Sequence, residues 1–452
     1  MKYLLTILSI LLVIALPDQA FAQKQIRKKG RSRAKTEVRP LDLYLEQSAI
    51  FSKSFTGFAL YDPAKNQMLY EYNADKYFTP ASNAKLFTFY TSLRILGDSI
   101  PALQYSREGD LMVFWGTGDP SFLHPGLAQN PAVFDFLKNC DAELLFCPAN
   151  FQDKRYGSGW MWSDFPYYYQ AEKSPFPVYG NVAHFRRDSI GRGIEVVPSF
   201  LKENLRPGHS FDKDDIVGRM EFDNSFIYDT SAVKGDEFEL HVPFRYTPAF
   251  LAEILTDTLD RPVHVLEADM LPPSNAHTLF SLPADSLYRL MMQESDNFVA
   301  EQLLLLCSQE KFGVMNTEKI IGYSNKNLLN DLPDEPQWVD GSGLSRYNLF
   351  TPRSIVSLLE KIYQIVPRER LFNIFAAGGV SGTIKNNYQN GNQPYVFAKT
   401  GTFRHNHCIS GYLLTQSGKV LIFSFMHNNF TNGTTPIKKE MERVLKTVRN
   451  KF

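Results

Sequence analysis

Pro80-Ala81-Ser82-Asn83-Ala84-Lys85-Leu86, residues 80–86, decides how this chain reads. Beyond it, apolar residues recur at Leu86, Phe89, Leu93 and Leu96 until Gly97, the spacing of one helix face, with Pro80-Ala81 just ahead of the start. Ser82 therefore lies in the first turn of a predicted helix, and Lys85, three residues on, shares its face. A lysine so placed can take the serine proton once it is neutral. Burial, and a second cation such as Lys399, depress its pKa toward that state. The helix N-terminus adds a positive field where a tetrahedral oxyanion would form. Spacing alone is weak evidence: Ser210-Phe211-Asp212-Lys213 and Ser308-Gln309-Glu310-Lys311 repeat it and read as surface residues.

Two further clusters give the serine a context. Ser295-Asp296-Asn297 interrupts the apolar segments Leu287 to Leu290 and Phe298 to Ala300, so it reads either as a helix cap or as polar side chains turned into a cleft. In a cleft, Ser295 could relay the proton from Lys85 to a leaving amine, and the Asn297 amide could hold a substrate carbonyl. Lys399-Thr400-Gly401 ends the strand-like run Tyr395 to Ala398 and is the chain's sole Lys-Thr-Gly or Lys-Ser-Gly. Lys399 and the Thr400 hydroxyl suit a substrate carboxylate, Gly401 admits close backbone approach, and the Thr402 N–H could join the Ser82 N–H in an oxyanion hole. Read alone, this run is equally a surface turn.

Outward from these clusters, Thr56 to Tyr61 and Gln67 to Tyr72 flank Asp62-Pro63-Ala64-Lys65-Asn66 and predict a β-hairpin. Helical spacing returns over Tyr246 to Leu259, Pro283 to Cys307 and Thr351 to Ile365. Tyr395 to Thr402, Ile409 to Leu414 and Val420 to Met426 read as strands, and Pro436 to Val448 as a final helix. Two N-terminal and three C-terminal strands would form one antiparallel five-stranded sheet flanked by helices, an α+β fold with a helical subdomain. Residues 101–264, rich in aromatics, Pro and Gly, read as inserted β-rich domain(s), leaving 42–100 and 265–452 for the main domain.

Composition bounds the rest. The 452 residues carry 48 basic and 48 acidic side chains, so no global field points to nucleic acid. Met1 to Ala22 reads as a secretory signal, with Lys2, the apolar run Leu4 to Leu16 and the cleavage site Ala20-Phe21-Ala22. Residues 23–41 form a basic linker, and no later apolar run predicts a transmembrane segment in the mature chain. Cys140 and Cys147 could close a short disulfide, whereas Cys307 reads as core. No Cys-x-x-Cys spacing supports structural zinc; His405 and His407 alternate on one strand without a nearby acidic ligand, so no metal or other cofactor is expected. Tyr179-Gly180-Asn181 reads as a loop, and Trp160, Trp162 and Tyr167 to Tyr169 as aromatic core or a sugar-stacking surface.

Taken together and in this order, Ser82-x-x-Lys85, Ser295-Asp296-Asn297 and Lys399-Thr400-Gly401 resemble the motif set of penicillin-binding proteins and class A β-lactamases. The 213 residues between the first two motifs (295 − 82) resemble the class C low-molecular-mass penicillin-binding proteins, the DacB-type D-alanyl-D-alanine carboxypeptidases of peptidase family S13. So do Gly116-Thr117-Gly118-Asp119-Pro120, Gly157 to Trp162 and Asp340-Gly341-Ser342-Gly343-Leu344-Ser345-Arg346. The stretch Gly378 to Ile384 departs from the family's usual Gly-Thr-Leu. The resemblance implies a transpeptidase-like catalytic fold and an exported, periplasmic serine carboxypeptidase or endopeptidase that uses Ser82, Lys85 and Ser295 as catalytic groups and Asn297, Lys399, Thr400, Gly401 and Thr402 to bind substrate. Peptidoglycan peptides and β-lactam antibiotics are its implied partners; oligomeric state stays open. Rival readings are a β-lactamase, for which no water-activating group is found, an inactive peptidoglycan-binding scaffold, and an esterase.

Overall fold

Successive side chains of the strands at the two chain ends enter two different cores in alternation. The computed structural model describes residues 41–187, 193–208, 216–230, 238–391 and 393–452. The signal segment, the basic linker up to residue 40 and the Ser210 to Lys213 repeat lie outside them. Along Phe55–Asp62, Phe58 and Leu60 face one core while Ala59 and Tyr61 face another. Val420–Asn428 alternates likewise, Phe423 and Phe425 on one side, Ile422 and Met426 on the other. Both faces are covered, which is why these strands read as nearly continuous apolar runs.

The resulting sheet runs Ala376–Ala377, Val396–Phe403, Asn406–Leu414, Val420–Asn428, Phe55–Asp62, Gln67–Tyr72, antiparallel throughout. The five expected strands are all present, and a two-residue edge strand makes a sixth. On one face lie Lys85–Ile95, Asn297–Phe312 and Pro352–Ile365, contributing Leu86, Phe89, Leu303, Leu304, Leu358 and Ile362 to the core. The other face is covered by Thr434–Lys451 through Met441, Val444, Leu445 and Val448. The helix expected over Pro283 to Cys307 is broken: Ala284–Arg289 runs into a π-helical turn at Leu290–Glu294, Ser295 is left-handed, and Asp296 caps a new helix.

Between these ends the chain builds a five-stranded sheet, Val263–Val265, Glu143–Phe146, Leu111–Gly116, Ser99–Glu108, His277–Pro283, and two three-stranded sheets. Helices Pro131–Lys138 and Pro248–Leu259 join a core of their own with Phe114, Phe146, Phe185 and Phe226. The five-stranded sheet begins at Ser99 and recruits His277–Pro283, so it extends past the expected limits of 101 and 264 because the outgoing and returning chain pair with each other. Cys140 and Cys147 form no disulfide. They flank the strand Glu143–Phe146, where Cys140 Sγ meets Met112 Sδ and Cys147 is buried against the Ala268 and Met270 carbonyls. Ser308, expected at the surface, is buried, its hydroxyl donating to Val314 O. Among the described residues, no helix is long and apolar enough to cross a membrane.

Candidate active site

The Ser82 turn is not yet α-helical. Ala81–Ala84 forms a 3₁₀ turn that feeds the helix Lys85–Ile95, and side chains three residues apart eclipse in a 3₁₀ turn. That geometry sets Lys85 Nζ 3.0 Å from Ser82 Oγ. The same Nζ donates to Asn297 Oδ1 and to Ser342 O, both at 2.6 Å. A neutral amine has two donors and one lone pair; the two obligate acceptors take the donors, leaving the lone pair for the Ser82 hydroxyl.

Burial is the main cause that pushes Lys85 down to about 8, with Asp340, Asp296 and Glu301 pulling the other way. Burial first, then the neighbouring Lys85, holds Lys399 well below the ordinary lysine range. Glu301 accepts from Ser342 N at 2.7 Å, its other oxygen is buried without a hydrogen-bond partner among the described residues, and burial with Asp340 raises its pKa.

Ser295 occupies a left-handed backbone at φ 65°, uncommon for a residue with a side chain, at the break between two helices. Its Oγ accepts from Lys399 Nζ at 2.8 Å, so the second and third motifs join side chain to side chain. Asp296 caps the following helix by accepting from Val299 N at 2.8 Å. Because Lys85 fixes Asn297 Oδ1, the Asn297 Nδ2 must point away, and it donates to Tyr169 O at 2.9 Å. A substrate carbonyl at Asn297 would therefore compete with the chain's own.

Strand Val396–Phe403 runs directly beside the Ser82 turn. Asn83 Nδ2 donates to Lys399 O at 3.0 Å, and a Cβ on Gly401 would fall 2.3 Å from Pro80 O and 2.9 Å from Ser82 N, so only glycine permits this approach. Thr400 Oγ1 donates to Thr383 Oγ1 at 2.7 Å, and Thr402 Oγ1 lies 2.8 Å from His407 Nδ1. His405 lies in the turn between the strands Val396–Phe403 and Asn406–Leu414, its Nδ1 2.8 Å from Phe430 O, so it does not alternate with His407 on one strand as expected.

Sequence reasoning missed what stands behind the turn. Asp340 accepts from Gly343 N, Ser345 N, Asn348 Nδ2 and Trp160 Nε1 at 2.6 to 2.9 Å, stitching the loop that carries Ser342. Gly343 has φ +85°, and a Cβ there would meet Ala81 O at 2.0 Å. The signal was present in the stretch Asp340 to Arg346, which sequence could mark but not assign. Trp162 and Tyr168 are exposed and Tyr167 stacks on Tyr169, and Tyr168 and Tyr169 line a cavity with Ser82, so these rings do not enter a core. Tyr179–Asn181 is a tight turn whose Asn181 is buried on Glu172 O and Ser174 Oγ. Two cavities, of about 440 and 640 Å³, share Ser82, Tyr169 and Asn297 in their walls.

Comparison with known proteins agrees with this architecture. The model of the D-Ala-D-Ala carboxypeptidase 3 (S13) family matches residues 38–200 and 239–449. The chain is 23% identical over 440 residues to D-alanyl-D-alanine carboxypeptidase DacB of Haemophilus influenzae, spanning 88% of this chain and 90% of that one. It is 26% identical over 467 residues to a D-alanyl-D-alanine carboxypeptidase of an Actinomadura species, spanning 89% and 82%. The crystal structure of penicillin binding protein 4 (dacB) from Haemophilus influenzae has the same fold, with a TM-score of 0.70 at 18% identity over 91% of this chain and all of that one. All three motifs fall inside the matched segments, and the chain belongs to the S13 family of serine-type D-Ala-D-Ala carboxypeptidases.

Proposed function

We propose that the chain removes the terminal residue of peptidoglycan stem peptides ending in D-alanyl-D-alanine, through an acyl-enzyme on Ser82. The observation that carries this reading is the Lys85 amine held between Ser82 Oγ, Asn297 Oδ1 and Ser342 O. Neutral Lys85 takes the Ser82 proton as Oγ attacks the penultimate D-alanine carbonyl. The C–N bond breaks as the Ser295 hydroxyl, held by Lys399, gives its proton to the departing amine of D-alanine and recovers one from the Lys85 ammonium, which returns to the neutral amine. Thr400 and Lys399 face the terminal carboxylate, Gly401 admits the substrate backbone, and the N–H groups of Ser82 and Thr402 stabilise the oxyanion. Water then cleaves the ester, returning Ser82. A β-lactam amide enters the same route and stays on Ser82. Cleavage at a cross-link instead of a free end would be the endopeptidase form of the same chemistry.

Residues 42–100 and 265–452 supply the acyl-transfer site in this reading, and 101–264 an insertion. Action on peptidoglycan, together with the signal-like residues 1–22, assigns the mature chain to the periplasm. Incubating purified wild type and Ser82→Ala with a penicillin, followed by mass spectrometry, tests the mechanism. A lasting adduct on the Ser82 peptide, absent from the variant, is expected, with D-alanine released from a muropeptide. No adduct and no release from folded wild type would leave the scaffold reading in its place, and rapid loss of the adduct would favour a β-lactamase.

A further inference from the structure

We propose that His184, Glu239 and His241 bind a divalent transition-metal ion of the zinc type on the wall of the Ser82 cleft. Strand Glu239–Pro243 pairs antiparallel with Val182–Arg187, placing His241 directly opposite His184. Glu239, two residues from His241, shares its face of the strand. The two imidazole rings meet edge to face with centroids 4.4 Å apart, and His241 Nε2 lies 3.4 Å from Glu239 Oε1. One ligand atom from each residue lies within 4.8 Å of the other two. Tetrahedral zinc with bonds of about 2.0–2.1 Å spaces its ligand atoms about 3.3 Å apart, so side-chain rotation of about 1–2 Å closes the set.

Two imidazoles and a carboxylate are a recurrent zinc donor set, and three protein ligands leave a position for water or another oxygen. The bland alternative, a cross-strand pair of structural histidines, gives His184 little to do: among the described residues its Nε2 has only Tyr179 O, at 3.4 Å, as a hydrogen-bond partner. The surrounding charges do not compete for the donor set. Arg186, opposite Glu239, forks onto Glu195 at 2.7 and 3.0 Å, and buried His124 turns Nε2 toward Asp296, 3.9 Å away. His241 and His124 line the cavity of about 440 Å³ that also reaches Ser82, Ser295 and Asn297. The metal would thus lie behind the cleft wall that His241 helps to form, and the assignment stands whether or not Ser82 turns over peptide.

The test is isothermal titration of the EDTA-stripped full chain with zinc chloride, alongside Glu239→Gln, His184→Gln and His241→Gln. Wild type should bind one equivalent saturably, and each histidine variant should lose that heat. Glu239 is exposed, so Glu239→Gln should melt like metal-free wild type yet bind zinc at least about tenfold more weakly. No saturable binding to wild type, or unchanged affinity in Glu239→Gln, would overturn the proposal even if the histidine variants fail to fold.

Discussion

Raising the pH toward 8 should switch on acylation of Ser82, because Lys85 accepts the hydroxyl proton only as a neutral amine. Burial brings Lys85 from an ordinary 10.5 to about 8. At pH 7 the neutral fraction therefore rises from about 0.03% to about 9%, on the order of 300-fold. The carboxylates of Asp340, Asp296 and Glu301 oppose this by favouring the ammonium. Asp296→Asn removes one of them, while asparagine keeps the cap on Val299 N. At an effective dielectric near 20, a charge roughly 8–15 Å away contributes about 1–2 kcal/mol, equivalent to a midpoint about one pH unit more acidic in the variant. The assay is the second-order rate of acylation by a fluorescent penicillin, measured by stopped flow across pH. The wild-type rate should climb about tenfold per pH unit below about 8 and level off above it. A flat profile below 8, or an Asp296→Asn midpoint that stays put or moves alkaline, would refute the neutral-lysine reasoning.

Three other outcomes are expected. Gly401→Ala drives a Cβ to 2.3 Å from Pro80 O, so penicillin labelling should slow at least about 100-fold and calorimetry should read a loss of about 1–3 kcal/mol from overpacking. Ser295→Ala removes the acceptor of Lys399 Nζ; D-alanine release should fall by about 10²–10⁴-fold, with little change in melting temperature. Asn83→Ala unties the nucleophile turn from Lys399 O, a buried contact, and urea unfolding should show a loss of about 1–3 kcal/mol.

The hairpin Phe55–Asp62 with Gln67–Tyr72, the three C-terminal strands and the helices Pro248–Leu259 and Pro352–Ile365 were legible because alternation and helical spacing are short-range signals. Ser82, Lys85, Ser295 and Lys399 were legible as three local clusters, and the fold brings them together. The interruption at Ser295-Asp296-Asn297 was legible too, but the π-helical turn Leu290–Glu294 and the left-handed backbone of Ser295 were not, because they are set by what packs around them. The cysteines misled because a seven-residue spacing says nothing of a strand standing between them. Ser342 was marked within its stretch but given no role, because its contribution is a main-chain carbonyl, to which side-chain identity is blind.

The sequence by itself determined the ingredients: which segments alternate, where Ser82 enters its helix, and which chemical groups the three motifs carry. Only the tertiary structure decided which group touches which. Lys399 holds Ser295, Asn297 is shared between Lys85 and Tyr169, and His184 faces His241 across a strand pairing that spans a long stretch of chain. The physical reason is range. Periodicity and capping act within a few residues, whereas strand partners, burial and the fields that move Lys85 depend on segments far apart in the chain, whose pairing is fixed when the cores close around them.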